Sequence, residues 1–400
     1  MRPVAGLLSI AEAQTLILAR VRQLPAERVP TGAAAGRVLA EDARAVVDLP
    51  PFPSSAMDGY AVRAADTPGR LAVAARIAAG VPAPVALSSG EAMGIATGGV
   101  VPEGADAVIP IEYVVERDNE VAIESSLVAG ANVRPRGGDI RAGDVVAETG
   151  TVLTPARVGA LAAAGVAEVM CTRRPRAAVV PTGTELRRPG EALEPGQVYE
   201  ANGLILAAQL HAAGAEVELG PAVGDDEAEH RAALERALEA DLVVTSGGVS
   251  VGPHDLVRRV EADLGVEEVL WRVAVKPGKP IAFGVRARTL VFGLPGNPVS
   301  ALVGFELFVK PAVRALQGER EPLPPFERGR IAGARERNPE RDELLRARLR
   351  QSDEGVVLEP LSGQESHMIA RAADADALVL IPRGEGALAD GGAVDYLRLA

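Results

Sequence analysis

The chain carries 42 basic residues, of which three are lysines (Lys276, Lys279 and Lys310) and the other 39 are arginines. Two of those lysines share one short loop, Lys276-Pro277-Gly278-Lys279-Pro280. Prolines restrict its backbone, so two ammonium groups converge with little conformational freedom. A compact ammonium suits a small oxyanion, for which the planar fork of arginine is too large. In a chain that otherwise writes arginine, the pair points to oxyanion binding rather than to incidental surface charge.

Three glycine-rich segments point to a phosphate-bearing ligand. They are Thr182-Gly183-Thr184-Glu185, Ser246-Gly247-Gly248-Val249-Ser250-Val251-Gly252 and Pro295-Gly296-Asn297-Pro298-Val299-Ser300, each following a short apolar run. Glycine lets backbone N–H groups approach an anion, and a following helix adds a favourable dipole. None of the three matches a P-loop or a dinucleotide-binding fingerprint. Glu185, Asp225 and Asp255 lie in or after such loops, and carboxylates beside a phosphate commonly hold Mg²⁺. Asp225 also fits the plain role of N-cap for the helix that follows. Asp58 in Ser55-Ala56-Met57-Asp58-Gly59-Tyr60-Ala61, Thr97 before Gly98-Gly99, and Asp139 after Gly137-Gly138 are glycine-flanked polar positions that composition does not explain.

The elements that must position these residues alternate in type. Apolar runs at 177–180, 217–223, 242–245 and 289–292 read as strands. Helical patterns at 202–213, 225–239, 253–264 and 298–316 separate or follow them. Near-continuous apolar strands alternating with helices predict a doubly wound, mostly parallel α/β sheet covered on both faces. Ligands of such sheets bind beyond the carboxyl ends of the strands, where the glycine loops fall. Short alternating runs between 71 and 146, with a hairpin turn at Arg117-Asp118-Asn119, predict a β-rich insert. Residues 330–399 predict several short strands and one helix near 366–373. Ser9-Ile10-Ala11-Glu12 is a capping box opening an amphipathic helix, and Thr154-Pro155 opens another.

Totals narrow the function classes. The formal net charge is −12, with no basic stretch to engage a nucleic acid. A single cysteine, Cys171, excludes a disulfide framework and a cysteine-ligated cluster. No stretch approaches the ~20 apolar residues of a membrane span. The first residues read as a folded helix rather than a leader, so the expected location is the cytoplasm.

Taken in order, these segments resemble the molybdopterin molybdenumtransferases, the family of MoeA and of the E domain of gephyrin. The matching pieces are Ser55 to Ala61, Thr97-Gly98, Gly138-Asp139-Ile140, Thr182 to Leu186, Ser246 to Gly252, Lys276 to Pro280 and Gly293 to Ser300. The likeness extends over essentially the whole chain, including Ser366-His367-Met368. It implies four domains. Domain I, helical and used in dimerisation, would comprise 1–48 and 140–174, and β-rich domain II 49–139. Domain III, 175–320, would be a molybdopterin-binding, MogA-like α/β fold, and domain IV, 321–400, a β-barrel-like C-terminal domain. Relatives often carry a larger polar or acidic residue at Gly138 and an aromatic one at Leu256.

The implied reaction converts adenylylated molybdopterin and molybdate to molybdenum cofactor with release of AMP, dependent on Mg²⁺. Catalytic roles are implied for Asp58, Thr97, Asp139, Glu185, Asp225, Asp255, Lys276 and Lys279, with Glu185, Asp225 and Asp255 near the metal. Substrate contacts are implied for Thr182, Gly183, Ser246, Gly247, Gly248, Ser250, Pro295, Gly296, Asn297, Pro298 and Ser300. Of these, Ser250 and Ser300 would join the two lysines around molybdate. A homodimer would share each site between subunits, and the molybdopterin adenylyltransferase that makes the substrate is a candidate partner. Two other readings of the resemblance are that adenylyltransferase activity itself, and a non-catalytic gephyrin-like scaffold. The first leaves the matched β-rich segments unexplained; the second sits badly with motifs that keep every charged position.

Overall fold

The computed structural model describes residues 7–78, 80–248, 256–353 and 355–399. They form two compact units, one drawing on the chain up to residue 27 and from 172 onward, the other comprising 28–171. The chain opens with helix α1 (Ile10–Leu18), built on the expected capping box. The Ser9 hydroxyl accepts from the Glu12 N–H at 3.2 Å, and the Glu12 carboxylate accepts from the Ser9 N–H at 2.8 Å. Its apolar face, Ala13 and Ile17, is buried in the core of the first unit.

The second unit is organised around a six-stranded sheet. Its strands are β1 (Gly59–Val62), β2 (Gly69–Ile77), β3 (Glu91–Ile95), β4 (Ala107–Pro110), β5 (Val114–Arg117) and β6 (Glu120–Ile123), in the order β4-β1-β3-β2-β6-β5. The predicted hairpin joins β5 to β6, with Asp118 and Asn119 at φ 51° and 64°. Both central residues are left-handed, as the tight hairpin turn that matches strand twist requires. Helix α2 (Pro155–Ala163) follows, with Thr154 as N-cap and proline at its first position.

The remainder of the first unit contains the expected α/β sheet. Its strands are β7 (Arg176–Pro181), β8 (Glu216–Leu219), β9 (Leu242–Ser246), β10 (Glu267–Trp271), β12 (Ala282–Arg286) and β13 (Thr289–Leu294); a two-residue strand, β11 (Val275–Lys276), lies outside it. The order is β8-β7-β9-β13-β12-β10; the first four strands are parallel, and β12 runs against its neighbours β13 and β10. Every residue of β9 is buried, as a strand covered on both faces demands. The apolar run 269–275 looks like one strand in sequence but is two. The chain turns at Arg272, whose φ is 73°, and β11 leaves the α/β sheet altogether.

Helices α3 (Asn202–Ala212), α4 (Glu227–Ala237), α5 (Leu256–Asp263), α6 (Pro298–Gly304) and α7 (Lys310–Leu316) accompany the sheet. Two local readings differ from expectation. The N-cap of α4 is Asp226, whose carboxylate accepts from the Glu229 N–H at 2.9 Å; Asp225 is left outside the helix. The stretch 298–316 is not one regular helix, because Phe305–Val309 forms a π turn between α6 and α7. Pro311 has no N–H to donate to the carbonyl of Leu307. That carbonyl accepts instead from the Gln14 side chain of α1, at 2.9 Å.

The C-terminal strands close into a barrel. They are β14 (Glu327–Ile331), β15 (Asp342–Ser352), β16 (Gly355–Pro360), β17 (Ala377–Ile381) and β18 (Ala393–Arg398). The circuit β15-β16-β14-β18-β17 returns to β15, so no long edge remains open. Helix α8 (Ile369–Ala372) lies between β16 and β17. The stray strand β11 pairs parallel with β15, setting Lys276 opposite Glu343.

Candidate active site

The carboxyl ends of β7, β9 and β13 open into a cavity of about 390 Å³. Thr182, Gly183, Gly247, Gly248, Gly296 and Asn297 form its loop walls, together with Pro295. The loops are tied to one another. The Thr182 N–H and hydroxyl both donate to the Ser246 carbonyl, at 2.9 and 3.1 Å, and the Gly247 N–H donates to the Leu294 carbonyl at 3.0 Å. Asn202 is the first residue of α3. Its side-chain amide donates to Ser246 Oγ at 2.8 Å and to the Gly296 carbonyl at 2.7 Å, joining two glycine loops.

Two glycines here meet a backbone need. At Gly183 the backbone φ of 151° is one that residues with a Cβ rarely adopt, and the Glu185 carboxylate lies where that Cβ would be. At Gly247 (φ 99°) a Cβ would stand 2.6 Å from the Thr182 carbonyl oxygen. Glu185 and Asp225 line the same cavity, and the Thr184 hydroxyl reaches Asp225 at 3.4 Å. Because Asp226 takes the capping role, the Asp225 carboxylate remains available to a ligand.

Sequence did not single out His230, which also lines this cavity from α4. Its ring is almost fully buried, and Nδ1 has no hydrogen-bond partner. Burial pushes the imidazole below its ordinary pKa, which keeps it neutral near pH 7.

A second cavity, of about 530 Å³, shares Pro280, Pro295 and Asn297 with the first. Lys276, Lys279 and Ser300 line it, so the structure gathers the two loop lysines and the buried serine of α6 around one space. Its far wall comes from the barrel domain: Arg341, Gln364, Glu365, Ser366 and His367. One buried side chain shapes that wall. The Arg346 guanidinium, 1% exposed, donates to the carbonyls of Gly363 and Met368, at 2.9 and 3.2 Å, and to Gln364 Oε1 at 3.3 Å. Sequence offered no signal for Arg341 or Arg346, two arginines among 39.

The remaining named residues fall in several places. Ser246 is buried behind the loops and Pro298 starts α6. Ser250 and Asp255 lie outside the described residues. Asp58, Thr97 and Asp139 belong to the other unit. There Asp58 and Thr97, 39 positions apart, form a pair: the Asp58 carboxylate accepts from the Thr97 N–H at 2.7 Å and from its hydroxyl at 3.0 Å. These bonds, the N–H first, hold the Asp58 carboxyl below the usual range. Asp139 is exposed, its N–H donating to the Leu49 carbonyl at 2.9 Å.

Among the described residues no group of three or more histidine, cysteine or carboxylate side chains is arranged to hold a metal ion. Two oxygen donors, Glu185 and Asp225, in one phosphate-sized cavity suit Mg²⁺, which is commonly held by one or two carboxylates with ligand phosphates and waters. No helix among the described residues is long and apolar enough to cross a membrane.

Comparison with known proteins matches the whole organisation. Residues 8–165 match the model for "MoeA N-terminal region (domain I and II)", 178–315 that for "Probable molybdopterin binding domain", and 328–399 that for "MoeA C-terminal region (domain IV)". Molybdopterin molybdenumtransferase 2 of Mycobacterium tuberculosis is 39% identical over 94% of this chain and 95% of its own length. Molybdopterin molybdenumtransferase of Haemophilus influenzae is 42% identical over 72% of each chain. A solved structure of the molybdopterin biosynthesis moeA protein from Pyrococcus horikoshii superposes with a TM-score of 0.85 at 28% identity, covering 98% of this chain and 100% of that one.

Proposed function

Since the chain belongs to the MoeA family and is a molybdopterin molybdenumtransferase of molybdenum cofactor biosynthesis, we propose how its two cavities divide that reaction. The glycine-loop cavity holds the phosphate-bearing part of adenylylated molybdopterin. The lysine cavity holds molybdate, the substrate oxyanion. One observation supports this reading: the acid-lined and lysine-lined spaces share a wall, which would set both substrates side by side.

In this reading Thr182, Gly183, Gly247, Gly248, Gly296 and Asn297 orient the phosphates through loop backbone and short side chains. Glu185 and Asp225, with Asp255, would hold Mg²⁺, which when bound supplies positive charge against phosphate oxygens. Lys276, Lys279 and Ser300, with Ser250, hold the oxyanion close to the dithiolene, and Arg341 adds charge from the barrel domain. Proximity of the two bound substrates is the chief catalytic contribution; water cleaves the phosphoanhydride to release AMP, and molybdate exchanges an oxygen, lost as water, for the dithiolene sulfurs. Asp58, Thr97 and Asp139 act from a second copy of this chain, completing the site of a homodimer.

The test is turnover with defined adenylylated molybdopterin, measuring AMP with and without molybdate and Mg²⁺. The expected result is AMP release that requires both. AMP release independent of molybdate would overturn the assignment of the two cavities, and formation of adenylylated pterin from molybdopterin and ATP would favour the sister activity.

A further inference from the structure

We propose that Glu343 is a positioning residue for Lys276, and that its charge deliberately loosens the grip of the lysine cavity on its oxyanion. The inference rests on the oxyanion reading of that cavity. Lys276 Nζ lies 2.8 Å from Glu343 Oε1, and the two residues are paired in register across β11 and β15. The exposures of the two side chains are unequal, 51% for the lysine and 15% for the glutamate. The carboxylate is therefore the anchored partner and the ammonium the one with freedom to lose. A four-carbon side chain left free would have to be ordered when the ligand arrives; a fixed carboxylate orders it beforehand.

The anchor itself is rigid. Next to Glu343, the Asp342 N–H donates to the Ala274 carbonyl at 3.0 Å, and the Asp342 carboxylate accepts from the Arg383 N–H at 2.8 Å. Three residues further along the same strand, buried Arg346 holds the opposite wall. Strand β15 thus sets both the lysine loop and the loop facing it.

The same carboxylate opposes the ligand. Lys276, Lys279 and Arg341 line the space as cations and Glu365 as an acid, while Glu343 neutralises one cation directly. An anion approaching Lys276 meets a negative charge behind it, so ground-state binding is weakened. A bound oxyanion that must be handed to a second substrate is turned over faster when it is not held too tightly before transfer.

The experiment uses the full-length chain, molybdate as probe, and two variants, Glu343→Gln and Glu343→Asp. Molybdate affinity is measured calorimetrically, then kcat and the molybdate KM are measured by AMP release, with thermal melting as a control for folding. Glu343→Gln should bind molybdate about two- to fivefold more tightly, the scale of one charge interaction near a surface, with KM and kcat both lowered. Glu343→Asp keeps the charge but withdraws it, so kcat should fall while affinity does not rise. Unchanged or weaker molybdate binding by folded Glu343→Gln, or wild-type kcat in Glu343→Asp, overturns the inference while leaving the cavity's oxyanion role intact. Failure of the wild-type chain to bind molybdate at all would instead overturn the oxyanion reading and the inference with it.

Discussion

The two ends of the central sheet are built from the same strands and treat polar groups in opposite ways. At the amino end Asp241 is saturated. It accepts both Arg173 guanidinium nitrogens at 2.6 and 2.7 Å and the Arg176 N–H at 2.8 Å, while its own N–H donates to the Arg176 carbonyl. Thr289 closes the same end onto the Ala240 carbonyl at 2.9 Å. At the carboxyl end, loops with left-handed glycines tie themselves together through backbone and Asn202 and leave Glu185, Asp225 and Lys279 facing open space. One end is internally satisfied and serves stability; the other keeps charge for something outside the chain. Substitutions should therefore dissociate, the carboxyl end changing turnover without melting the protein and the amino end doing the reverse.

The largest effect is expected at the lysine loop. Lys279→Ala should lower molybdate-dependent AMP release by about 100-fold or more, on the scale of losing one preorganised charge contact, with melting temperature unchanged. A near-normal rate would break the contrast at its functional end. Glu185→Gln should also reduce turnover, and raising Mg²⁺ should restore part of it if the carboxylate serves the metal.

Mixing tests whether the site is shared between copies. Lys279→Ala and Asp58→Asn copies, each inactive alone, should regain activity when co-assembled, because one mixed site then has both residues intact. Absence of any recovery in a verified mixed assembly would mean that each copy works alone.

At the amino end Asp241→Asn should cost about 2–3 kcal/mol of stability and leave kcat unchanged. Burial by itself would raise the Asp241 carboxyl, but Arg173 and the Arg176 N–H outweigh it and hold the group below its usual value. A depressed folded-state value means stability is fully present above the unfolded value, about 3.9, and is lost as pH falls through the folded one. Acid unfolding of the asparagine variant should lack that component.

The smallest effect concerns His230. Its depressed value means the fold favours the neutral ring, so stability is full above about pH 6.5 and declines as pH falls below it. Removing the imidazole with His230→Leu should flatten that decline, as read by melting temperature between pH 7 and 5. An unchanged slope would show that the buried ring does not report on the cavity floor.

Much of this molecule was legible before folding because its requirements are local. The glycine loops, the capping box at Ser9 and the proline-bounded lysine pair each state a backbone or charge need within a few residues. The alternation of apolar runs and helices likewise implies a covered parallel sheet, since strands buried on both faces cannot alternate polar and apolar residues. Where two residues could serve one local need, sequence could not choose. Asp225 reads as the N-cap of α4 from its sequence, but the chain's path makes its neighbour Asp226 the cap and leaves Asp225 to the cavity.

The rest was decided by contacts between distant positions. Gln14, 293 residues away, serves the Leu307 carbonyl that Pro311 cannot, within the π turn that interrupts an otherwise plausible helix. Glu343, 67 residues from Lys276, becomes its partner only because β11 leaves one sheet to join the barrel. Arg346 looks like any other arginine until burial turns its donors onto a cavity wall. The order of residues specifies which chemical groups are at hand and which backbone conformations they need. Which of those groups face each other is set on folding, because long-range pairing depends on chain path and packing that no local pattern encodes.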